Sequence, residues 1–138
     1  MIWTLRIECV TGRYLEHEWV RLVEVDSASS LDDLHDLIQD AARFDRDHLF
    51  EFFVGRNCRQ RAVVFNESED DFEESNGCDA TLEEVFPLPK NMKLFYHFDF
   101  GDDWRFEIRK MRNKPKEPEA RVRYPRVIEA KGPKLRQY

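Results

Sequence analysis

Three aspartates and a histidine lie close together near the middle of the second half of the chain. Asp99, Asp102 and Asp103 surround Gly101, and His97 precedes them. Carboxylate oxygens and imidazole nitrogens bind divalent cations, so these residue types at this spacing could form a metal site. The same residues suit a tight turn, because Asp side chains cap local amides and Gly adopts a positive φ. We favour the turn and keep the metal site as the alternative.

Two further histidines extend the metal hypothesis. His35 lies in a predicted helix, and His48 begins a predicted strand that follows after a short connection, so the two side chains could approach each other. Such a His/Asp cluster would serve a metal-dependent hydrolase or nuclease. We favour instead a structural role in which His35 hydrogen-bonds to backbone. The candidate metal or ligand residues are His35, His48, His97, Asp99, Asp102 and Asp103.

The elements that position these residues follow from hydrophobic periodicity. Alternating apolar and polar residues predict strands at 2–10 and 17–25, and further strands at 48–54 and 62–66. An apolar face at helical spacing, preceded by a serine cap, predicts a helix over 31–43. A short capped turn of helix at 81–86 precedes an aromatic hairpin at 94–111.

This order predicts a single α+β domain over residues 1–112. Its elements run strand, strand, helix, strand, strand, short helix, strand, strand. We expect a twisted mixed sheet packed on the one main helix, with a beginning similar in order to a β-grasp element. Residues 113–138 are predicted to be a proline-rich basic extension that packs on the domain or trails from it.

Charge is distributed unevenly along the chain. Residues 1–104 carry 24 acidic and 10 basic side chains, whereas residues 105–138 carry 4 acidic and 12 basic ones. A basic tail can bind nucleic acid, or it can lie on the acidic body of its own molecule, and we favour the second reading. The candidate nucleic-acid contacts are Lys110, Arg112, Lys114, Lys116, Arg121, Arg123 and Arg126.

Other patterns exclude some classes of protein. No apolar run approaches the roughly 20 residues that cross a bilayer, and the first residues lack the layout of a signal peptide. Three cysteines without CxxC spacing indicate reduced thiols and a cytoplasmic location. The acidic segment 67–79 lacks the register of an EF-hand, so we interpret it as a solvated loop whose ordering on binding stays open. The oligomeric state also stays open, although an uncovered strand at 62–66 would permit pairing between copies.

Several motifs occur together in the order found in one protein family. Their residues are Leu34, His35, Gln39, Glu51, Phe52, Asp99, Phe100, Gly101, Asp102, Asp103, Trp104, Tyr124 and Pro125. Over residues 19–126 the chain resembles the plasmid pRiA4b ORF-3-like family, and the aromatic and acidic run at 98–104 is the most specific part. The resemblance implies an α+β fold and an association with plasmids and transposons, without an established reaction.

No GxSxG, HExxH, Walker or GxGxxG motif is present, so the catalytic residues stay unassigned and no cofactor is expected. The leading hypothesis is therefore a non-enzymatic interaction module that contacts a protein or a nucleic acid. The alternative is a metal-dependent hydrolase or nuclease that uses the His/Asp cluster.

Overall fold

The computed structural model of the protein describes residues 1–45, 48–66, 76–133 and 135. Residues 67–75 of the predicted acidic loop therefore lie outside the described residues. Strands and helices are named here in chain order. They are β1 (Ile2–Thr11), β2 (Val20–Asp26), α1 (Leu31–Ala42), β3 (Phe50–Gly55), β4 (Val63–Phe65), α2 (Leu82–Val85), β5 (Lys93–Phe98), β6 (Trp104–Lys110) and β7 (Arg126–Lys131).

The strands form one seven-stranded sheet in the order β4-β3-β5-β6-β1-β2-β7. Every pair of neighbouring strands runs antiparallel. The α+β class is confirmed, but the prediction of a mixed sheet is wrong. The chain leaves β2 through α1 and re-enters the sheet four strands away at β3, so no two consecutive strands become parallel neighbours. None of the helices in the described part of the chain is long and apolar enough to cross a membrane.

The hydrophobic core lies between one face of the sheet and α1. Side chains alternate across each strand, so Phe52, Tyr96 and Phe106, which are register partners across β3, β5 and β6, point into this core. The helix contributes its own buried residues, which are Leu31, Leu34, Leu37, Ile38, Gln39 and Ala42. Burial of this shared apolar surface is the main force that holds helix and sheet together.

Local sequence signals define both ends of α1. The Ser30 side chain accepts a hydrogen bond from the Asp33 amide, and the Asp33 carboxylate accepts one from the Ser30 amide. This capping box satisfies amides that a helix leaves without intrahelical partners. Arg43 takes the left-handed conformation, at a φ of 58°, and ends the helix.

The seventh strand is an element that sequence analysis did not predict. β7 lies at the edge of the sheet beside β2, within the segment predicted as a proline-rich basic extension. Its start is attached by Arg126, whose guanidinium donates to the buried Glu24 carboxylate at 2.6 Å. Its end is attached by Arg21, which donates to the carbonyl oxygens of Lys131 at 2.8 Å and Gly132 at 3.2 Å. Charged side chains of β2 therefore hold β7 at both ends.

The hairpin between β1 and β2 packs directly on the core aromatic Trp104. A methyl group added at Gly12 would lie 2.1 Å from Cε3 of the Trp104 ring, whereas one added at Gly101 would find its nearest atom at 3.6 Å. We expect Gly12→Ala to lower the free energy of unfolding by about 1–3 kcal/mol or more, because the buried indole must shift. Urea unfolding followed by tryptophan fluorescence measures this. The matched control, Gly101→Ala, should leave the midpoint nearly unchanged, and equal midpoints for the two variants would contradict the packing.

The Glu24 contacts predict a pH dependence. A hydrogen bond from Lys116 lowers the pKa of Glu24 below its ordinary value, and a hydrogen bond from Arg126 adds to this effect. Burial of the carboxylate opposes both. A depressed carboxyl pKa stabilises the fold above the unfolded-state pKa of about 4.3, and this stability is lost as pH falls through the folded-state pKa. Glu24→Gln should therefore cost about 1–3 kcal/mol at pH 7 and progressively less in acid.

Urea midpoints between pH 7 and pH 3 measure this effect. Glu129→Gln, at an exposed glutamate of β7, makes the same change of charge and should have little effect at any pH. A constant difference between wild type and Glu24→Gln across the whole pH range would show that the Glu24 charge does not hold β7.

Candidate functional site

The three aspartates of the predicted metal site lie in the turn between β5 and β6. Asp99 and Asp103 both have positive φ, at 53° and 57°. The Asp103 amide donates to the Asp99 carbonyl at 2.6 Å, and the Asp102 amide donates to the Asp99 side chain at 3.2 Å. Asp tolerates this conformation better than most residues, and its short side chain closes the turn.

The turn is also attached to neighbouring segments. The Asp99 amide donates to the Leu49 carbonyl at 3.0 Å, and the Arg13 amide donates to the Asp102 carbonyl at 2.8 Å. The Thr11 hydroxyl donates to the Asp103 carbonyl at 2.9 Å. The acidic turn is therefore a well-supported corner of the fold, and only the Phe100 side chain at its tip is strongly exposed.

His97 lies between two carboxylates on the sheet face that points away from the core. Its Nε2 is 2.9 Å from Asp103 Oδ1, in a direction that does not make a hydrogen bond, and its Nδ1 is 3.7 Å from Glu51 Oε1. Glu51 pairs with His97 across β3 and β5, which explains the second contact. The two acids flank the imidazole from opposite sides and do not converge on one point.

Arginines form ion pairs with the same two carboxylates. Arg61 donates to Glu51 at 2.7 Å, while Arg59 and Arg105 donate to the two oxygens of Asp103 at 2.9 and 2.7 Å. Arg105 also donates to the Cys58 carbonyl, which holds the β3–β4 connection over this face. Burial would raise the pKa of Glu51 and of Asp103, but these cations, with His97 in the case of Glu51, lower both pKa values below their ordinary range.

The remaining histidines lie in separate surroundings. His48 Nε2 is 3.4 Å from Asp99 Oδ2. His35 lies on the core side, where its Nδ1 is 2.5 Å from the Tyr96 hydroxyl and its ring stacks on Phe50. Because Tyr96 and His97 are consecutive in β5, they point to opposite faces of the sheet, and so do the groups around them. Within the described ranges, no three His, Cys, Asp or Glu side chains are arranged to hold a metal ion.

Sequence analysis did not predict the buried polar network around Tyr96. Gln39 is fully buried in α1, and its amide donates to the Tyr96 hydroxyl at 2.8 Å, on the same oxygen that meets His35. Hydrogen bonding offsets the cost of burying these polar groups. The sequence did carry one signal, since His35 and Gln39 are four residues apart and share a helix face. Nothing local indicated that a strand tyrosine would meet them.

The candidate nucleic-acid residues make different contacts in the structure. Lys116 and Arg126 bind Glu24, and the Lys110 ammonium lies 4.7 Å from the centre of the Trp3 ring. Arg123 lines a groove beside α1. The exposed members of the set are Arg112, Lys114, Arg121 and Arg123. Part of the basic charge therefore attaches the tail to the domain.

A groove of about 730 Å³ runs between α1 and β7. Its floor is apolar and its helix side is acidic. The motif residues Tyr124 and Pro125 lie at one end of it. The lining residues are Val25, Ser29, Asp33, Asp36, Leu37, Asp40, Ala41, Arg123, Tyr124, Pro125 and Val127. We call this the α1–β7 groove.

Comparison with known proteins identifies the family of the chain. The family described as plasmid pRiA4b ORF-3-like protein matches residues 6–135. The chain belongs to this family. The resemblance read from the sequence motifs is therefore confirmed, and the run at 98–104 that carried it forms the β5–β6 turn of the family member described here.

One solved structure shows the same fold. It is the crystal structure of protein of unknown function MM3350 from Methanosarcina mazei Go1, to which the chain is similar with a TM-score of 0.75 and 24% sequence identity. The similarity covers 94% of this chain and 68% of that protein. Comparison with curated proteins gives no match.

The arginine contacts of Asp103 predict a structural role for its carboxylate. Asp103→Asn should lower the free energy of unfolding by about 1–2 kcal/mol, because Arg59 and Arg105 lose their partner while Asn tolerates the positive φ. Asp102→Asn is the matched control. Its carboxylate is 3.8 Å from one exposed arginine, so the cost should stay below about 0.5 kcal/mol.

Thermal unfolding with and without added Mn²⁺ or Zn²⁺ completes this test. A ligand that binds only the folded state raises its Tm. We expect the same difference in Tm between wild type and Asp103→Asn in both conditions. If the metal raised the Tm of the wild type and not that of Asp103→Asn, Asp103 would be a metal ligand.

Proposed function

We propose that this protein is a non-enzymatic binding module that holds a protein partner in the α1–β7 groove. The observation that carries the proposal is the exposure of apolar side chains on an anchored edge strand. Val127 and Ile128 of β7 are 44% and 47% exposed. The only strand that pairs with β7 in the described part of the chain is β2. Exposed apolar side chains on an edge strand are a common site for protein contacts.

The anchoring of β7 supports the same proposal. Arg21 and Glu24 hold its two ends, so its edge is already positioned before any partner arrives. Preorganised surfaces bind with a smaller loss of conformational entropy than segments that must order on contact. The adjoining groove adds concave surface with an apolar floor, which is typical of binding sites.

The alternative of a metal-dependent hydrolase or nuclease has weaker support. Its candidate acids Asp99 and Asp103 are engaged by turn amides, by His48 and by arginines. The histidines lie on both faces of the sheet, which separates the groups that a metal centre would bring together. The association with mobile elements and the cytoplasmic location stay predictions.

Selection from a random peptide display library tests the binding proposal. We expect enriched peptides whose affinity falls at least about tenfold in Val127→Asp, because a carboxylate then enters the apolar floor of the groove. Val63→Asp is the matched control, since Val63 is a valine of the opposite edge strand β4 with a similar exposure of 41%. Its affinity should equal that of wild type.

Two results would contradict the proposal. Peptides that lose affinity equally in both variants, or in neither, would place binding outside the α1–β7 groove. A full equivalent of transition metal retained by the purified protein after dialysis would support the hydrolytic alternative instead.

A further inference from the structure

We infer that the connection between β6 and β7, residues 111–125, binds the phosphate backbone of a nucleic-acid duplex through Arg112, Lys114 and Arg121. We call this connection the basic loop. Its function is separate from the protein partner proposed for the α1–β7 groove. The inference follows from cations that have no partner in the described part of the chain, from the contacts that hold the loop, and from the side chains that the loop lacks.

The cations of the basic loop divide into two groups. Lys116 binds the buried carboxylate of β2 and so attaches the loop to the sheet. The side chains of Arg112, Lys114 and Arg121 are exposed, and within the described part of the chain none of them makes an ion pair or a hydrogen bond. Arg123 is also exposed, but it lines the α1–β7 groove beside acids of α1. The first three cations are therefore the ones available to an anionic partner.

Hydrogen bonds and ion pairs hold the basic loop in a compact shape. The Ile2 amide donates to the Lys116 carbonyl at 2.6 Å, and the Lys116 amide donates to the Ile2 carbonyl at 3.2 Å. The Val122 amide donates to the Glu119 carbonyl at 3.3 Å, where the chain turns, and Lys116 and Arg126 meet at one carboxylate of β2. The Cα atoms of all three unpaired cations therefore lie within about 17 Å of Lys116, the reach of about five extended residues. A duplex carries about ten phosphates over that length.

The chemistry of the basic loop suits phosphate groups. Arg and Lys donate hydrogen bonds to phosphate oxygens, and their binding releases the counterions of the nucleic acid. Asn113, which is exposed between Arg112 and Lys114, is another side chain of the kind that contacts phosphates. The whole chain has a net charge of -6 in spite of this loop. The other faces therefore repel phosphates, which orients a duplex towards the basic loop.

The composition of the basic loop argues against other anionic partners. The exposed large apolar side chains of the described residues all lie outside it. A protein interface has an apolar core, and a membrane-binding segment adds apolar side chains that enter the bilayer. Residues 111–123 also contain no aromatic side chain on which the bases of a single strand could stack. Contacts to the backbone of a duplex require neither of these features.

Fluorescence anisotropy with the full chain and a short labelled DNA duplex of mixed sequence tests the inference. We expect binding whose association constant falls steeply with salt. Arg112→Gln, Lys114→Gln and Arg121→Gln in combination should weaken this binding at least about tenfold at low salt. The slope of log association constant against log salt should become shallower by about 2–3, since each phosphate contact contributes about 0.9. The urea midpoint should stay that of wild type, because the three side chains make no structural contact.

A second triple variant controls for net charge. Arg13→Gln, Arg43→Gln and Arg56→Gln in combination removes three exposed arginines outside the basic loop. Its affinity for the duplex should stay within about twofold of wild type, because charges more than a Debye length from the bound phosphates are screened. Equal weakening in both triple variants would show a general charge effect and would overturn the inference.

Glu117 allows a test in the opposite direction. It is an exposed acid within the basic loop, so Glu117→Gln removes a charge that repels phosphates and should strengthen binding about twofold at low salt. Glu16→Gln makes the same change at an exposed acid between β1 and β2 and should leave the affinity unchanged. A loss of fold cannot produce tighter binding. Equal affinities of the two variants would contradict binding at the basic loop.

Competitors test the identity of the partner. Polyglutamate, or vesicles that contain phosphatidylserine, should displace the labelled duplex less well than unlabelled duplex at the same concentration of negative charge. Equal displacement by either one would replace the duplex with an acidic protein or a membrane surface. A single strand of the same length that bound more tightly than the duplex would also overturn the inference. If no duplex binds at low salt, the inference fails, whereas the proposal for the α1–β7 groove is unaffected.

Discussion

Glu24 lies buried in β2, and the two cations that meet its carboxylate both come from the carboxy-terminal segment. A buried carboxylate without partners is costly, so β2 favours a conformation in which Lys116 and Arg126 are present. This requirement places Arg126 at the start of β7 and brings the following residues alongside β2. The α1–β7 groove exists because of this pairing, since one of its sides belongs to the tail.

The pleat of the central strands is a second constraint, and it divides the candidate chemistry. In β5 the successive residues Tyr96 and His97 point to opposite faces. Tyr96 meets Gln39 and His35 in the core, while His97 meets Glu51 and Asp103 on the other face. Polar groups that are neighbours in sequence therefore belong to two networks, and each network has its own structural partners.

Asymmetric charge has two separate consequences in the folded molecule. Arginines of the β3–β4 connection and of β6 neutralise the acids of the outer face. Tail cations neutralise Glu24 in the same way. Local pairing thus turns much of this charge into structural contacts.

The sequence by itself determined the elements whose signals are local. Period-two alternation located β1, and a serine and aspartate cap with a helical apolar face located α1. The Asp-Phe-Gly-Asp-Asp run at 99–103 located the β5–β6 turn, and the motifs around it identified the family. The edge strand β7 was not predictable in this way, because Arg126–Lys131 has no clear alternation and becomes a strand through contacts with Glu24 and Arg21, about a hundred residues away in the chain. The antiparallel order of the sheet, the meeting of Tyr96 with α1 and the groove itself were likewise decided by the tertiary structure, because each joins segments that share no local pattern.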